Sequence, residues 1–235
     1  MTFWRTTPHR SRRRDAGIGV GITLAVLAMA GLGALGYVTF MLWPRWPAAA
    51  TSESAPSLPI TVGDVLFNVP TTAIRVAAQR SPGTQPRLDL VFRWPDLTPP
   101  PAGAQPTLSD ELKPTDLFVS IAPARGTLPL LERIRTIYPR YTGGSAFPGP
   151  AGLTAVSFRD DTPYQNEDLY FDVAKPETFT ARCTRPKGLI AGVCLLERAV
   201  GGTEITVRFP RDWLEQWREV AVSTDRLIER LRAPR

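Results

Sequence analysis

GGTEITVRFPRDWLEQWREVAVSTDRLIERL (Gly201–Leu231) holds a turn, a strand and a helix in one continuous stretch. The pair Gly201-Gly202 is a hairpin signal, because glycine enters the φ > 0 conformations of tight turns without steric cost. It leads into a β-rich run, Glu204 to Phe209. Pro210 then interrupts the strand, and Asp212 followed by Glu215 has the spacing of a capping box at a helix start. Trp213, Leu214, Trp217, Val220, Ala221, Leu227, Ile228 and Leu231 recur at helical spacing, so one face is apolar. A helix with that face must cover a sheet, and its two tryptophans are expected to lie against it.

Working back toward the N-terminus, short apolar runs alternate with turn chemistry. Val193 to Arg198, Phe179 to Cys183, Asp168 to Val173 and Leu153 to Phe158 read as strands, the last two flanking the polar loop 159–167. Tyr141 to Gly152, rich in Gly and Pro, reads as a flexible loop. Leu128 to Tyr138 reads as a short helix, with Thr127 as cap, Pro129 in its first turn and Pro139 closing it. Asp116 to Ala122 puts Leu117, Val119 and Ile121 on one face. Arg87 to Trp94 is the clearest strand, with Leu88, Leu90, Phe92 and Trp94 alternating with the other residues. The proline-rich stretch 95–106 between them reads as a surface loop, and 73–79 fits a short helix or a strand equally well. Ile60-Thr61-Val62 and Val65-Leu66-Phe67 flank Gly63-Asp64, the pattern of a type II′ hairpin. Strands outnumber helices and are mostly joined by turns, which predicts an α+β domain over 60–235. Its sheet is expected to be largely antiparallel, with the C-terminal amphipathic helix packed on it.

Ahead of this domain, Ala16 to Trp43 is twenty-eight residues long and carries no charged side chain. About 20 helical residues cross the hydrocarbon core of a bilayer. Five arginines precede the run (Arg5, Arg10, Arg12, Arg13 and Arg14) and Arg45 alone follows closely. This asymmetry predicts a single-pass signal-anchor in a bacterial inner membrane, with residues 1–15 as a basic cytoplasmic tail and the domain in the periplasm. Residues 44–59 read as a flexible linker. The alternative is a signal peptide cleaved after Ala50, but the apolar run is about twice the usual length of a signal core. Gly17, Gly21 and Ala25 recur every fourth residue, a spacing that lets two membrane helices approach and form a homodimer.

Charge removes one class of partner. The net +6 is mostly in the tail, where five arginines face Asp15 alone; 23 basic and 21 acidic residues remain for the rest. A nearly neutral domain lacks the basic footprint of nucleic-acid binding. The lone histidine, His9, lies in the tail, which leaves the domain without a Ser-His-Asp or Cys-His arrangement. No catalytic residue, metal or cofactor is therefore expected. Cys183 and Cys194, the two cysteines, flank a Pro/Gly-containing segment and are expected to form a structural disulfide in an oxidising compartment. Arg182, Arg185 and Lys187 make that segment basic, and Tyr141, Phe147 and Tyr164 are loop aromatics; these six are the candidate binding residues.

RLDLVFRWPDL (Arg87–Leu97) and ITVRFPRDWLEQW (Ile205–Trp217) resemble phrases in uncharacterised single-pass, membrane-anchored periplasmic proteins of alphaproteobacteria. The resemblance extends over most of the segment after the apolar run; it implies an exported compartment and no catalytic residues. The expected function is non-enzymatic binding of a protein or envelope component, with membrane lipid around the anchor. Two other readings are a hydrolase using Asp160, Asp161, Glu167 or Asp168, and a structural subunit of an inner-membrane complex held through the Gly17/Gly21/Ala25 seam.

Overall fold

The computed structural model describes residues 13–42, 56–101, 115–124, 126, 128–188 and 191–232, with the side chains of the first helix described over 24–39. The chain divides into two compact units, Met1–Ala48 and Ala49–Arg235. The first contains helix α1 (Arg13–Leu42), whose side chains over 24–39 are all exposed. Among the described residues no helix is long and apolar enough to cross a membrane. Residues 1–12 of the expected tail 1–15 and 44–55 of the expected linker 44–59 lie outside the described residues, as does the environment of Gly17 and Gly21; Ala25 is exposed.

The second unit carries two sheets. β1 (Ser57–Val62) and β2 (Val65–Pro70) form the expected antiparallel hairpin, with Val62 opposite Val65 and Gly63 at φ +58 in the turn. β3 (Gly83–Thr84) adds to β1 in parallel. The larger sheet has eight strands, every neighbouring pair antiparallel. They are β4 (Leu88–Arg93), β5 (Asp116–Pro123), β6 (Thr142–Pro148), β7 (Thr154–Phe158), β8 (Glu167–Phe171), β9 (Thr180–Thr184), β10 (Val193–Val200) and β11 (Thr203–Pro210). Their spatial order is β4-β5-β11-β10-β9-β8-β7-β6. β6 to β11 thus form a meander, and the β4–β5 hairpin joins its far end. The β5–β6 connection must travel six strand spacings, roughly 29 Å at ~4.8 Å each. It carries the short helix α2 (Leu130–Thr136) on the way.

One core joins the small sheet, the inner face of the large sheet and helix α3 (Trp217–Leu231). Ile60, Phe67 and Val69 meet Leu88, Leu90, Phe92, Leu117, Val119, Ile121, Ile205 and Val207, with Val220, Leu227 and Ile228 of α3. Each such side chain contributes ~1.5–3 kcal/mol by leaving water. A second, smaller core lies on the opposite face: Tyr138, Phe158 and Leu169, packed by Leu130, Ile134, Ile137, Tyr141, Tyr164 and Phe171. The large sheet is therefore covered on both faces, α3 serving one and α2 the other.

Three local readings are corrected. Tyr141–Gly152 is not a loop: Thr142–Pro148 pairs with β7 as an edge strand, its register shifting between Gly143 and Phe147 where Gly144 takes φ +77. A bulge of this kind hides a strand behind glycine-rich sequence. The capping box does not form. Residues Arg211–Gln216 make a 3-10 turn, α3 begins at Trp217 with Gln216 at its cap position, and neither start has a side-chain cap. Asp212 lies inside the tighter turn, where its side chain precedes the α-helical N–H groups it would have bonded. The helix read over 128–138 is α2 followed by a second 3-10 turn, Tyr138–Arg140; Thr127 lies outside the described residues.

The stretch 73–79 is neither helix nor strand throughout. Ile74 bridges Leu90 between two 3-10 turns, Thr71–Ala73 and Ala77–Gln79. Asp89 holds this segment on the sheet edge. Its N–H donates to Gln79 Oε1 at 2.9 Å, Gln79 Nε2 donates to its carboxylate at 3.2 Å, and Arg75 N–H donates to its carbonyl at 3.0 Å. Arg87 and Ser120 also donate to the carboxylate. Burial pushes the Asp89 pKa up, but the hydrogen bonds from Arg87, Ser120 and Gln79 outweigh it and hold it below the usual carboxylate value. Ionised Asp89 therefore stabilises the fold above its unfolded pKa of ~3.9, and that stability is lost as pH falls through the lower folded value. Asp89→Asn is expected to cost about 1–2 kcal/mol at neutral pH, with the gap to wild type closing below about pH 4. Urea titrations across that range check it.

Candidate functional site

Ser157, Asp168, Cys183, Cys194 and Phe209 stand in one row across five strands, β7 to β11, each directly opposite the next. Because alternate residues of a strand face the same side, the whole row points into the inner face. The two cysteines form a disulfide, with Cα atoms 3.9 Å apart. Beside them Asp168 is almost wholly buried, its side chain 5% exposed. A carboxylate in that position needs partners, since an unpaired buried charge is strongly unfavourable.

Three groups supply them. Ser157 Oγ donates to Oδ1 at 2.9 Å, and Arg185 Nε donates to the same oxygen at 2.9 Å. Arg211 Nη2 donates to Oδ2 at 3.0 Å and also to the Tyr170 hydroxyl. The Arg185 guanidinium continues to the carbonyls of Phe158 and Glu167, and Arg211 Nη1 to the carbonyl of Thr184 at 3.1 Å. Burial pushes the Tyr170 phenol pKa up, against the opposing pull of Arg211, so Tyr170 stays neutral and accepts that hydrogen bond. Gly192 makes the arrangement sterically possible: a Cβ there would meet the Thr184 carbonyl at 2.4 Å and Arg211 Cδ at 2.9 Å.

The outer face carries a second charge network. Arg182 donates to Glu167 at 2.9 Å and lies 3.9 Å from Glu197. Glu197 makes a close ion pair with Arg133 of α2, which reaches Glu204 at 3.9 Å and donates to the Tyr138 hydroxyl at 3.3 Å. Charges thus alternate from β8 through β9 and β10 to α2 and β11. Burial works against the Arg133 charge, but Glu197 outweighs it and the pKa is raised. Arg182 also lies over the Tyr164 ring at 4.9 Å, and Tyr164 makes edge contacts with Tyr141 and Tyr138, both with centroids 5.6 Å apart.

Of the six binding candidates, the fold gathers Arg182, Tyr164 and Tyr141 into this outer cluster, and their polar and ring contacts are internal. Arg185 belongs to the inner network, with its side chain 35% exposed and Asp160 3.6 Å away. Lys187 is exposed beyond them. Phe147 lies apart, opposite Ala155 on the edge strand, and is 39% exposed. Arg211 was not legible as a site residue. It is 43 positions from Asp168, and the strand register alone brings them together.

The carboxylates considered for hydrolysis are not assembled as a pair. Glu167 and Asp168 are adjacent in β8 and so face opposite sides of the sheet, each held by arginine. Asp160 and Asp161 are 85% and 75% exposed on a turn. Among the described residues no three His, Cys, Asp or Glu side chains are grouped to hold a metal.

Two stability measurements follow. Asp168→Ala strands two partly buried guanidiniums and is expected to cost about 3–5 kcal/mol, whereas Lys187→Ala stays within about 0.5 kcal/mol. Replacing both cysteines by alanine is expected to cost on the order of 3 kcal/mol through the lost loop constraint. Chemical denaturation of the three variants checks both.

No family model matches the chain, and no curated protein matches it. In fold it is similar to an immunity protein of the Stenotrophomonas maltophilia type IV secretion system. That match has 17% identity and a TM-score of 0.55, over 77% of this chain and 94% of the other. The iron-regulated outer membrane lipoprotein of Neisseria meningitidis aligns with a TM-score of 0.36 and 11% identity, over 75% of this chain and 98% of that one.

Proposed function

We propose that the chain is a membrane-anchored, exported domain that binds a protein partner and catalyses no reaction. The observation that carries this reading is the fold shared with an immunity protein of a secretion system over nearly all of that protein's length. We take from it the expectation that the β-sheet domain acts by binding another protein. The internal commitment of Glu167, Asp168, Arg182 and Arg185 agrees with a rigid scaffold. The uncharged run Ala16–Trp43 and the arginines before it support an anchor in the inner membrane, with the N-terminus cytoplasmic and the domain periplasmic. The disulfide agrees with an oxidising compartment.

The full chain, expressed in bacterial membranes and crosslinked in place, is expected to yield one reproducible protein partner by mass spectrometry. It is also expected to resist carbonate extraction and to be cut by protease added from the periplasmic side. Recovery of no reproducible partner would remove the binding reading. Release by carbonate would remove the anchor.

A further inference from the structure

The exposed side of α3 carries a row of arginines. Arg218, Val222, Arg226 and Arg230 recur every four residues and so share one face of the helix. Val222 is 47% exposed among them. Among the described residues, none of these three arginines is paired with a carboxylate, unlike Arg133, Arg182, Arg185 and Arg211 on the two faces of the sheet. Arg218 lies over the Trp217 ring at 4.3 Å and donates to the Ala151 carbonyl at 3.2 Å, and Arg230 donates to the Leu97 carbonyl at 3.4 Å. Among the described residues none of the three has a carboxylate within ion-pair distance. Of the carboxylates of the helix, Asp225 is taken by Arg198 at 2.7 Å, whereas Glu219 and Glu229 are exposed beside the stripe.

Between this stripe and the end of β4 runs a groove of about 330 Å³, lined by Trp94, Pro95, Arg218, Glu219, Val222 and Arg226 together with Ser223. Trp94 is half-buried and rests against Trp213 with centroids 4.8 Å apart, which fixes that wall. Arg218 is fixed in turn by Trp217 and by Ala151, whose carbonyl accepts from both side chains. The groove is thus apolar at its middle, with a guanidinium toward each end and one carboxylate, Glu219.

We infer that this groove receives an extended, acidic segment of the protein partner, two carboxylates flanking one apolar side chain. Spacing sets the pattern. Arg218 and Arg226 are eight helical residues apart, about 12 Å at 1.5 Å per residue. In an extended chain rising ~3.3 Å per residue, positions i and i+4 are about 13 Å apart and face the same side as i+2. The segment that matches is acid-x-apolar-x-acid: carboxylates on Arg218 and Arg226, the apolar side chain on Val222 and Trp94. Arg–carboxylate pairs at the rim supply orientation and on-rate, and the half-buried tryptophan supplies contact area.

This inference rests on the protein-binding reading above, and its test separates the two. The full-length chain in detergent is titrated with fluorescently labelled GSESLSESG, and with GSKSLSKSG as the charge-reversed control. The acidic peptide is expected to bind at up to about millimolar concentration and the basic one not to bind. R218E/R226E is expected to weaken binding by at least about tenfold, and R226E alone, which touches no internal contact, by several-fold. Unchanged circular dichroism keeps the variants interpretable. Equal binding of both peptides, no binding of the acidic one, or undiminished binding by R226E overturns the groove assignment. So does binding of dihexanoyl phosphatidylglycerol that R218E/R226E abolishes while GSESLSESG fails to bind, which would make the groove a lipid-headgroup site. In the membrane crosslinking experiment, capture of the same partner by wild type and R218E/R226E alike removes the groove and leaves the protein-binding reading standing. Peptide binding without any crosslinked partner does the reverse.

Discussion

Asp168 brings a negative charge onto the inner face of an eight-stranded sheet, and Arg185 and Arg211 have to meet it there. Much of this end of the domain is arranged around that requirement. Arg185 comes from just beyond β9 and Arg211 from the corner between β11 and α3, so a single carboxylate ties three elements. The disulfide sits in the same cross-strand row and joins β9 to β10 covalently. Removing the carboxylate would leave two guanidiniums facing each other, which is why such a group is far harder to lose than to replace together with its partners.

The outer face solves a different problem. Here a seven-residue helix, α2, lies over the far strands as the chain crosses from β5 to β6. A helix this short has little stability of its own. It is held by Leu130, Ile134 and Ile137 against Phe158 and Leu169, and by Arg133 in the alternating chain of charges. Apolar contact and ion pairing there are mutually dependent, because burial strengthens an electrostatic contact while making its loss more costly. On the exposed side of α3, by contrast, Arg218, Arg226 and Arg230 make no such ion pairs among the described residues.

Much of the fold was readable from residue order. The alternation in Leu88-Asp89-Leu90-Val91-Phe92 and the stripe ending in Leu227, Ile228 and Leu231 reported burial directly, since periodicity in a strand or helix is the imprint of one covered face. The strand β6 was not readable, because glycines at 143 and 144 and Pro148 carry turn chemistry while the bulged backbone still pairs with β7. The start of α3 was misread for a related reason. Asp212 and Glu215 have capping spacing, but the chain leaves Pro210 in a 3-10 turn and the orphan N–H groups lie further along.

The candidate site was legible only in part. Cys183 and Cys194, alone in the sequence and separated by turn residues, announced a bond, and the basic residues between and beside them were visible as charge. That Arg182 faces Glu167 while Arg185 faces Asp168 follows from strand register, which no local pattern encodes. By itself, the sequence determined the α+β class, most of the strands, the apolar face of the last helix and the charge asymmetry around 16–43, because each depends on neighbours along the chain. Tertiary structure alone decided which arginines are used up inside the domain and which remain on its surface. That choice depends on distances between residues dozens of positions apart, set by the order in which eight strands lie side by side.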